Sequence, residues 1–171
     1  MLSQILRWLR HRWADDAVHR LPKKLNDRIA GLIAEQERKH SGEVRVCIEA
    51  GLPTGYLLAA DPMPVLLRRR ALSQFSDLGV WDTEHNNGVL IYLCLAERAI
   101  EVVADRGIHQ RVPEALWPGI VSRLSTHLQS DAWEAGIEEA IHEVSSVLVL
   151  HFPLVPGQTN PNELADQPII L

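Results

Sequence analysis

Between Leu21 and Lys39, apolar residues recur every three or four positions: Leu21, Leu25, Ile29, Leu32 and Ile33. That spacing lays them along one face of a helix, and Pro22 suits its first turn. Lys24, Asp27, Glu35 and Arg38 fall largely off the stripe. Ser41-Gly42 breaks the period. Val44, Val46 and Ile48 then alternate with Arg45, Cys47 and Glu49, the pattern of a strand with one apolar face. GLPTGYLLAADPMP is loop by its Gly and Pro content. A helical period returns from about Met63 to Leu78, with Leu66, Leu67, Ala71, Phe75 and Leu78 inward. Arg68, Arg69 and Arg70 form its solvated face, with Arg70 in reach of an acidic neighbour.

GVLIYLCLA, from Gly88, is apolar at successive positions, so both faces of that strand must be covered and the strand is central. Only Glu97-Arg98 separates it from AIEVVAD, and so short a connection makes an antiparallel hairpin. A two-residue turn there sets Ala96 opposite Ala99 and Asp105 opposite Leu90. The strand at 44–49 reaches the one at 89–95 through a helix, which predicts a parallel pair with a right-handed crossover.

After Gly107 the pattern is helical again. Pro113 and Pro118 each suit a first turn, giving two short helices or one broken helix to about Gln129. Asp131 with Glu134 makes a capping box for the last helix. Ala132, Trp133, Ile137, Ile141, Val144 and Leu148 form its core face, and Pro153 ends it. VPGQTNPNELADQPIIL has neither a helical nor a strand period. The expected organisation is a basic amphipathic segment over 1–20, an α/β domain over 21–153 and an irregular tail over 154–171.

In that first segment Leu2, Ile5, Leu6, Leu9 and Trp13 share a helical face, with Arg7, Arg10 and Arg12 mostly opposite. Two readings are open. The helix packs on the domain or a second subunit, or it lies on an anionic membrane surface or a membrane-associated protein partner. Residues 1–28 carry seven Lys/Arg against three Asp, although the chain of 171 residues has a net charge of −5. The acidic body would repel phosphates, which excludes nucleic acid as its main partner. No run approaches the roughly 20 apolar residues of a spanning helix, and Arg7 and Arg10 interrupt any leader-like stretch. The expected setting is the cytoplasm, peripheral at the inner membrane, without a signal peptide or transmembrane helix. Cys47 and Cys94 sit in apolar runs and read as buried free thiols.

The strand pairings bring polar residues to one rim. Glu43 starts its strand beside Asn87-Gly88, and the hairpin returns Asp105 to the same end. Glu43, Asp82, Glu84, Asn87 and Asp105 thus form a candidate oxygen-rich site, with Asn86 beside them. Oxygen donors of this kind suit Ca²⁺ or Mg²⁺, while His85 and His109 could join a softer metal. A structural reading competes. Asp82 and Thr83 can cap a turn, Asn-Asn-Gly can supply positive φ, and Asp105 can pair with Arg106 or Arg111 or cap the following helix. Trp81 and Trp117 read as packing residues.

These motifs carry a resemblance. HSGEVRV at 40–46, FxxLGVWDTExNNGVLIY at 75–92 and IEVVADRGI at 100–108 resemble the TPM domain family. That family is named for a thylakoid lumen protein, a photosystem II repair protein and an acetylcholine-receptor modulator. WEAGI at 133–137 and HFP at 151–153 follow in order, and NELADQPIIL resembles the tail of a compact bacterial branch. The resemblance spans about residues 20–171. It implies a three-layer α/β/α sandwich, a small mixed sheet covered by helices on both faces, with a cleft near the Asn-Asn-Gly loop. It also implies either an accessory binding module with a divalent-cation site or a weak metal-dependent acid phosphatase. The phosphatase reading would use Asp82, Glu84 and Asp105 to hold the ion, and Arg106, Arg111 and Arg70 are the nearest positive groups. No Cys-x5-Arg, Asp-x-Asp or Walker motif supports it, so the accessory module ranks first.

Overall fold

The computed structural model of the protein describes residues 8–12, 14, 23–113, 115–130 and 132–171. The first apolar stripe becomes helix α1 (Lys23–Glu37), which ends before the Ser41-Gly42 break, and strand β1 (Glu43–Glu49) follows. A single turn, α2 (Thr54–Leu57), interrupts the expected loop and precedes α3 (Met63–Asp77). Strand β2 (Gly88–Cys94) is buried along its whole length, as its apolar run required. A 3₁₀ turn at Leu95–Glu97 leads into β3 (Ala99–Ala104). Then come α4 (Arg106–His109), α5 (Leu116–Gln129), α6 (Trp133–His151) and β4 (Ile169–Ile170).

The sheet runs β3-β2-β1-β4. β1 is parallel to β2 and to β4, and β2 is antiparallel to β3. Alternation along the strands divides the core in two. Val44, Val46, Ile48, Val89, Ile91 and Leu93 pack with residues of α1, α5 and α6. Cys47, Leu90, Tyr92, Cys94 and Val103 face the other way, onto Leu66, Leu67 and Ala71 of α3. The architecture is therefore a three-layer α/β/α sandwich around a mixed sheet. Both cysteines are buried free thiols, and burial pushes each up to about 12, too high for a nucleophile at neutral pH.

Four expectations need correction. The hairpin pairs Cys94 with Ala99, not Ala96 with Ala99. The 3₁₀ turn takes up the extra residues, and Arg98 closes it in the left-handed region at φ 49°. The shift is two residues, so every side chain keeps its face. The tail is not wholly irregular. β1 presents an open edge to it, and Cys47↔Ile169 and Ile48↔Ile170 pair there. Trp81 is 52 % exposed and is not a core packing residue. Ala132, not Asp131, stands at the N-cap of α6, and Asp131 lies outside the described residues.

Residues 8–12 are helical, and His11 is buried against the domain. Its Nδ1 accepts the Leu52 N–H at 3.0 Å. That leaves Nε2 to donate to Glu97 Oε1 at 2.8 Å, and Arg10 meets the same carboxylate at 2.6 Å. This part of the basic segment therefore rests on the β2–β3 connection. Leu2, Ile5, Leu6 and Trp13 lie outside the described residues.

Candidate functional site

The starts of β1 and β2 and the end of β3 share one rim. Glu43 pairs with Gly88, and the Asp105 N–H donates to the Gly88 carbonyl at 2.9 Å. Gly88 is required there, because a Cβ would run into the carbonyl oxygen of Val80. The turn before it is held from several sides. Asn86 sits at φ 51°. Thr83 accepts from the Asn86 and Asn87 N–H groups, through its carbonyl and its hydroxyl, each at 3.1 Å. The Asn86 carbonyl accepts from Gly107 N at 3.0 Å, and the Arg106 guanidinium Nε donates to Asn86 Oδ1 at 2.7 Å.

Asn87 and Asp105 meet at this turn as buried polar residues, and each is half used. Asn87 Nδ2 donates to the Ser41 carbonyl at 2.7 Å, but its Oδ1 has no hydrogen-bond partner among the described residues. Asp105 caps α4, its Oδ1 accepting from Arg106 N at 2.6 Å, while Oδ2 has no such partner. Asp105 is only 7 % exposed, so water reaches that oxygen poorly.

The other expected ligands stand apart. Asp82 and Glu84 are exposed, as are His85 and His109. The Glu84 N–H is taken by Glu163 Oε2 at 2.9 Å. Glu43 is buried but turns to the tail, with Oε2 accepting from Leu164 N at 3.1 Å and Oε1 unpartnered among the described residues. Arg70 ion-pairs with Glu49 at the opposite end of β1. Arg111 stacks on Phe152 at 4.5 Å and donates to the His151 carbonyl at 3.0 Å. Among the described residues, no three His, Cys, Asp or Glu side chains are grouped as a metal site would require. The rim therefore offers one carboxylate oxygen and one amide oxygen at its centre, with two exposed acids on the loop beside it.

Glu43 instead belongs to a cluster that the sequence reading missed. Glu37 Oε1 accepts from Val44 N at 2.8 Å, and its carboxyl is also hydrogen-bonded to Asp166. Burial, with Glu43 and Asp166 nearby, raises Glu37 to about 8. Burial likewise raises Glu43 and Asp166. Glu37 therefore keeps its proton through neutral pH. His40 donates from Nδ1 to the Gly42 carbonyl at 3.0 Å, and burial lowers it to about 4, so it is neutral. Asn160 ties the tail down by donating to the His40 and Gly42 carbonyls, each at 3.1 Å. Glu37 had a signal in the sequence: it continues the four-residue series Leu25, Ile29, Ile33 into the buried face.

A family model described as TPM domain matches residues 15–147. Solved structures share the fold, two of them as follows. One is the NMR structure of the BA42 protein from the psychrophilic bacterium Bizionia argentinensis, 22 % identical, covering 89 % of this chain and 96 % of that one with a TM-score of 0.72. The other is the solution NMR structure of the N-terminal domain of a protein from P. gingivalis, also 22 % identical, covering 79 % and 82 % with a TM-score of 0.59. No curated protein matches the chain.

Proposed function

This chain belongs to the TPM domain family, and from that membership and the chemistry of the rim we propose that it is an accessory binding module holding Ca²⁺ or Mg²⁺. One observation carries the proposal. Asn87 Oδ1 and Asp105 Oδ2 are buried oxygens at one strand end, without a donor among the described residues. A buried acceptor left unsatisfied costs about 1–3 kcal/mol, and a hard cation would recover it. Asp82 and Glu84 would approach from the loop, and water would complete the shell. With so few charged ligands the affinity should be weak, a Kd on the order of 10⁻⁴–10⁻³ M.

The test is a calorimetric or NMR titration with each ion. Binding is expected in the native chain and should fall at least about tenfold in Asp105→Asn. That change keeps the shape and the cap acceptor while removing the charge. No binding at tens of millimolar, or binding untouched by the substitution, would remove the ion from the proposal.

A second reading, a weak metal-dependent acid phosphatase, is favoured only by Arg106, whose guanidinium stands at the rim and offers a positive group to a phosphoryl oxygen. With both thiols buried, neither cysteine serves as a nucleophile. An aryl phosphate assayed with Mg²⁺, Mn²⁺ and Ca²⁺ from acidic to neutral pH should show turnover near background. A robust rate abolished by Asp105→Asn would put hydrolysis first.

The proposal extends to the N-terminal segment. Its basic residues would meet a membrane-associated protein partner or an anionic membrane surface. No helix among the described residues is long and apolar enough to cross a membrane.

A further inference from the structure

We propose that residues 160–171 form a strap latched to the domain by a proton shared between Glu37 and Asp166, and that alkaline pH lifts this strap off the edge of β1 before the rest of the fold opens. β4 ends the sheet on that side and pairs with β1 through two residues, Cys47↔Ile169 and Ile48↔Ile170. Leu171 extends the contact by donating from N to the Ile48 carbonyl and accepting from Ala50 N, each at 2.9 Å. So short a strand holds weakly by itself. The strap joins α6 through residues 155–159, which are all exposed, and local openings are drawn from such segments.

Side chains supply the remaining hold. Asn160 reaches the His40 and Gly42 carbonyls, Glu43 Oε2 accepts from Leu164 N, and Arg45 Nη1 donates to the Ala165 and Gln167 carbonyls. The Glu37–Asp166 contact differs in kind, because two carboxyl groups hydrogen-bond only while one of them keeps a proton. Glu37 ends α1, is 4 % exposed and also accepts from Val44 N. A cavity of about 300 Å³ lies beside the pair, lined by Ala34 and Arg38 as well as by Asn160 and Asn162 of the strap.

The charged groups around Glu37 are Glu43 of β1, with Glu163 near it, and Asp166 of the strap, with Arg45 of β1 near it; Arg38 lines the cavity. His40 is neutral. Arg45 is engaged with the strap carbonyls and Arg38 is exposed, so an ionised Glu37 would face two acids without an ion pair of its own among the described residues. Lifting the strap removes Asp166 and admits water to the carboxyl. Burial first, and these acids after it, raise Glu37 from 4.5 to about 8, so the latch is complete below 4.5 and is lost as pH climbs through about 8. The lifted strap leaves the Ile48 carbonyl and the Ala50 N–H unpaired, an edge at which another extended segment could add. The latch uses neither Asn87 nor Asp105, so it does not depend on the proposed ion.

The test is amide hydrogen exchange in the ¹⁵N-labelled full chain from about pH 6 to 9, each rate divided by the intrinsic rate at that pH. Leu164 and Leu171 report the strap, and Ile91, in the middle of β2, reports opening of the whole sheet. Protection at Leu164 and Leu171 should lie below that of Ile91 at every pH and should fall at least about tenfold across the range. In Glu37→Gln, which keeps the acceptor and cannot ionise, the fall should be under about twofold. Asp166→Asn removes the facing charge but not the burial, so its fall should be smaller than in the native chain. Ile91 protection shows whether each variant is folded. Equal protection at all three amides overturns the strap, because the tail then leaves only with the whole fold. Strap protection that stays flat across the range overturns the latch. A fall retained in Glu37→Gln overturns Glu37 as its seat, and an undiminished fall in Asp166→Asn overturns Asp166 as the partner.

Discussion

Arg70→Met is expected to remove about 3–5 kcal/mol of folding stability. The Arg70 guanidinium donates from Nε and Nη2 to both oxygens of Glu49, at 2.6–3.1 Å. The Tyr92 hydroxyl donates to Glu49 Oε2 at 2.5 Å. Glu49 is buried, and Tyr92 is fully buried beneath α3. Removing the guanidinium leaves a carboxylate inside the protein with one neutral hydrogen bond. An exposed pair would be worth only about 0–1 kcal/mol, so the size of the loss reports the burial. Urea denaturation followed by tryptophan fluorescence measures it, with a melting temperature lower by roughly 10 °C. Adding Glu49→Gln should recover much of the loss, because glutamine is neutral and still accepts from Tyr92. A single-mutant loss below about 1 kcal/mol, or no recovery in the pair, would mean that these contacts do not govern the α3–sheet interface.

The second large effect is a fall in stability as pH rises from mildly acidic to mildly basic. Glu37 is raised from an ordinary 4.5 to about 8, so the folded state holds a proton that the unfolded chain gives up earlier. The stability this proton supplies is complete below 4.5 and is lost as pH climbs through about 8. One pKa unit is about 1.4 kcal/mol, so the loss amounts to a few kcal/mol. The groups around it are Glu43 and Asp166, with Arg45 near Asp166 and Arg38 on the adjoining cavity. His40 acts in the opposite direction. Its folded value is lowered to about 4 from 6.5, so its contribution is lost as pH falls through that interval. Together they predict greatest stability between about pH 5 and 6. Glu37→Gln keeps the acceptor for Val44 N and stands in for the protonated acid. Melting curves from pH 5 to 9 should therefore be flatter in the variant, which should be the more stable form near pH 9. Parallel curves for the two proteins would refute the assignment.

The candidate rim was legible to different degrees at different residues. Glu43 beside Gly88 followed from a parallel pair, which the intervening helix demanded. Asp105 reached the same rim although its register was shifted by two, because a hairpin of any short length brings that end of β3 home. The capping of α4 by Asp105 had been one of the open alternatives. The separation of Glu43 from Asp105 was not legible. Gly88 lies between them, and the Val80 backbone packs over it, a consequence of how the 78–87 turn folds back.

Local patterning by itself determined the four long helices, the three long strands, the two-faced burial of β2 and the pairing of β1 with β2, but not the single turn α2. Those features depend on side-chain periodicity and connection length, both of which lie in neighbouring residues. Only the tertiary structure decided that Ile169 and Ile170 would complete the sheet, since two residues carry no period and the open edge of β1 recruits them. It also decided that Glu37 would keep a proton beside Asp166, that His11 would hold residues 8–12 against the domain, and that Trp117 would bury an indole proton without an acceptor among the described residues. Each of these depends on desolvation by groups far away in the chain. Sequence spacing does not encode how much water a folded neighbour removes.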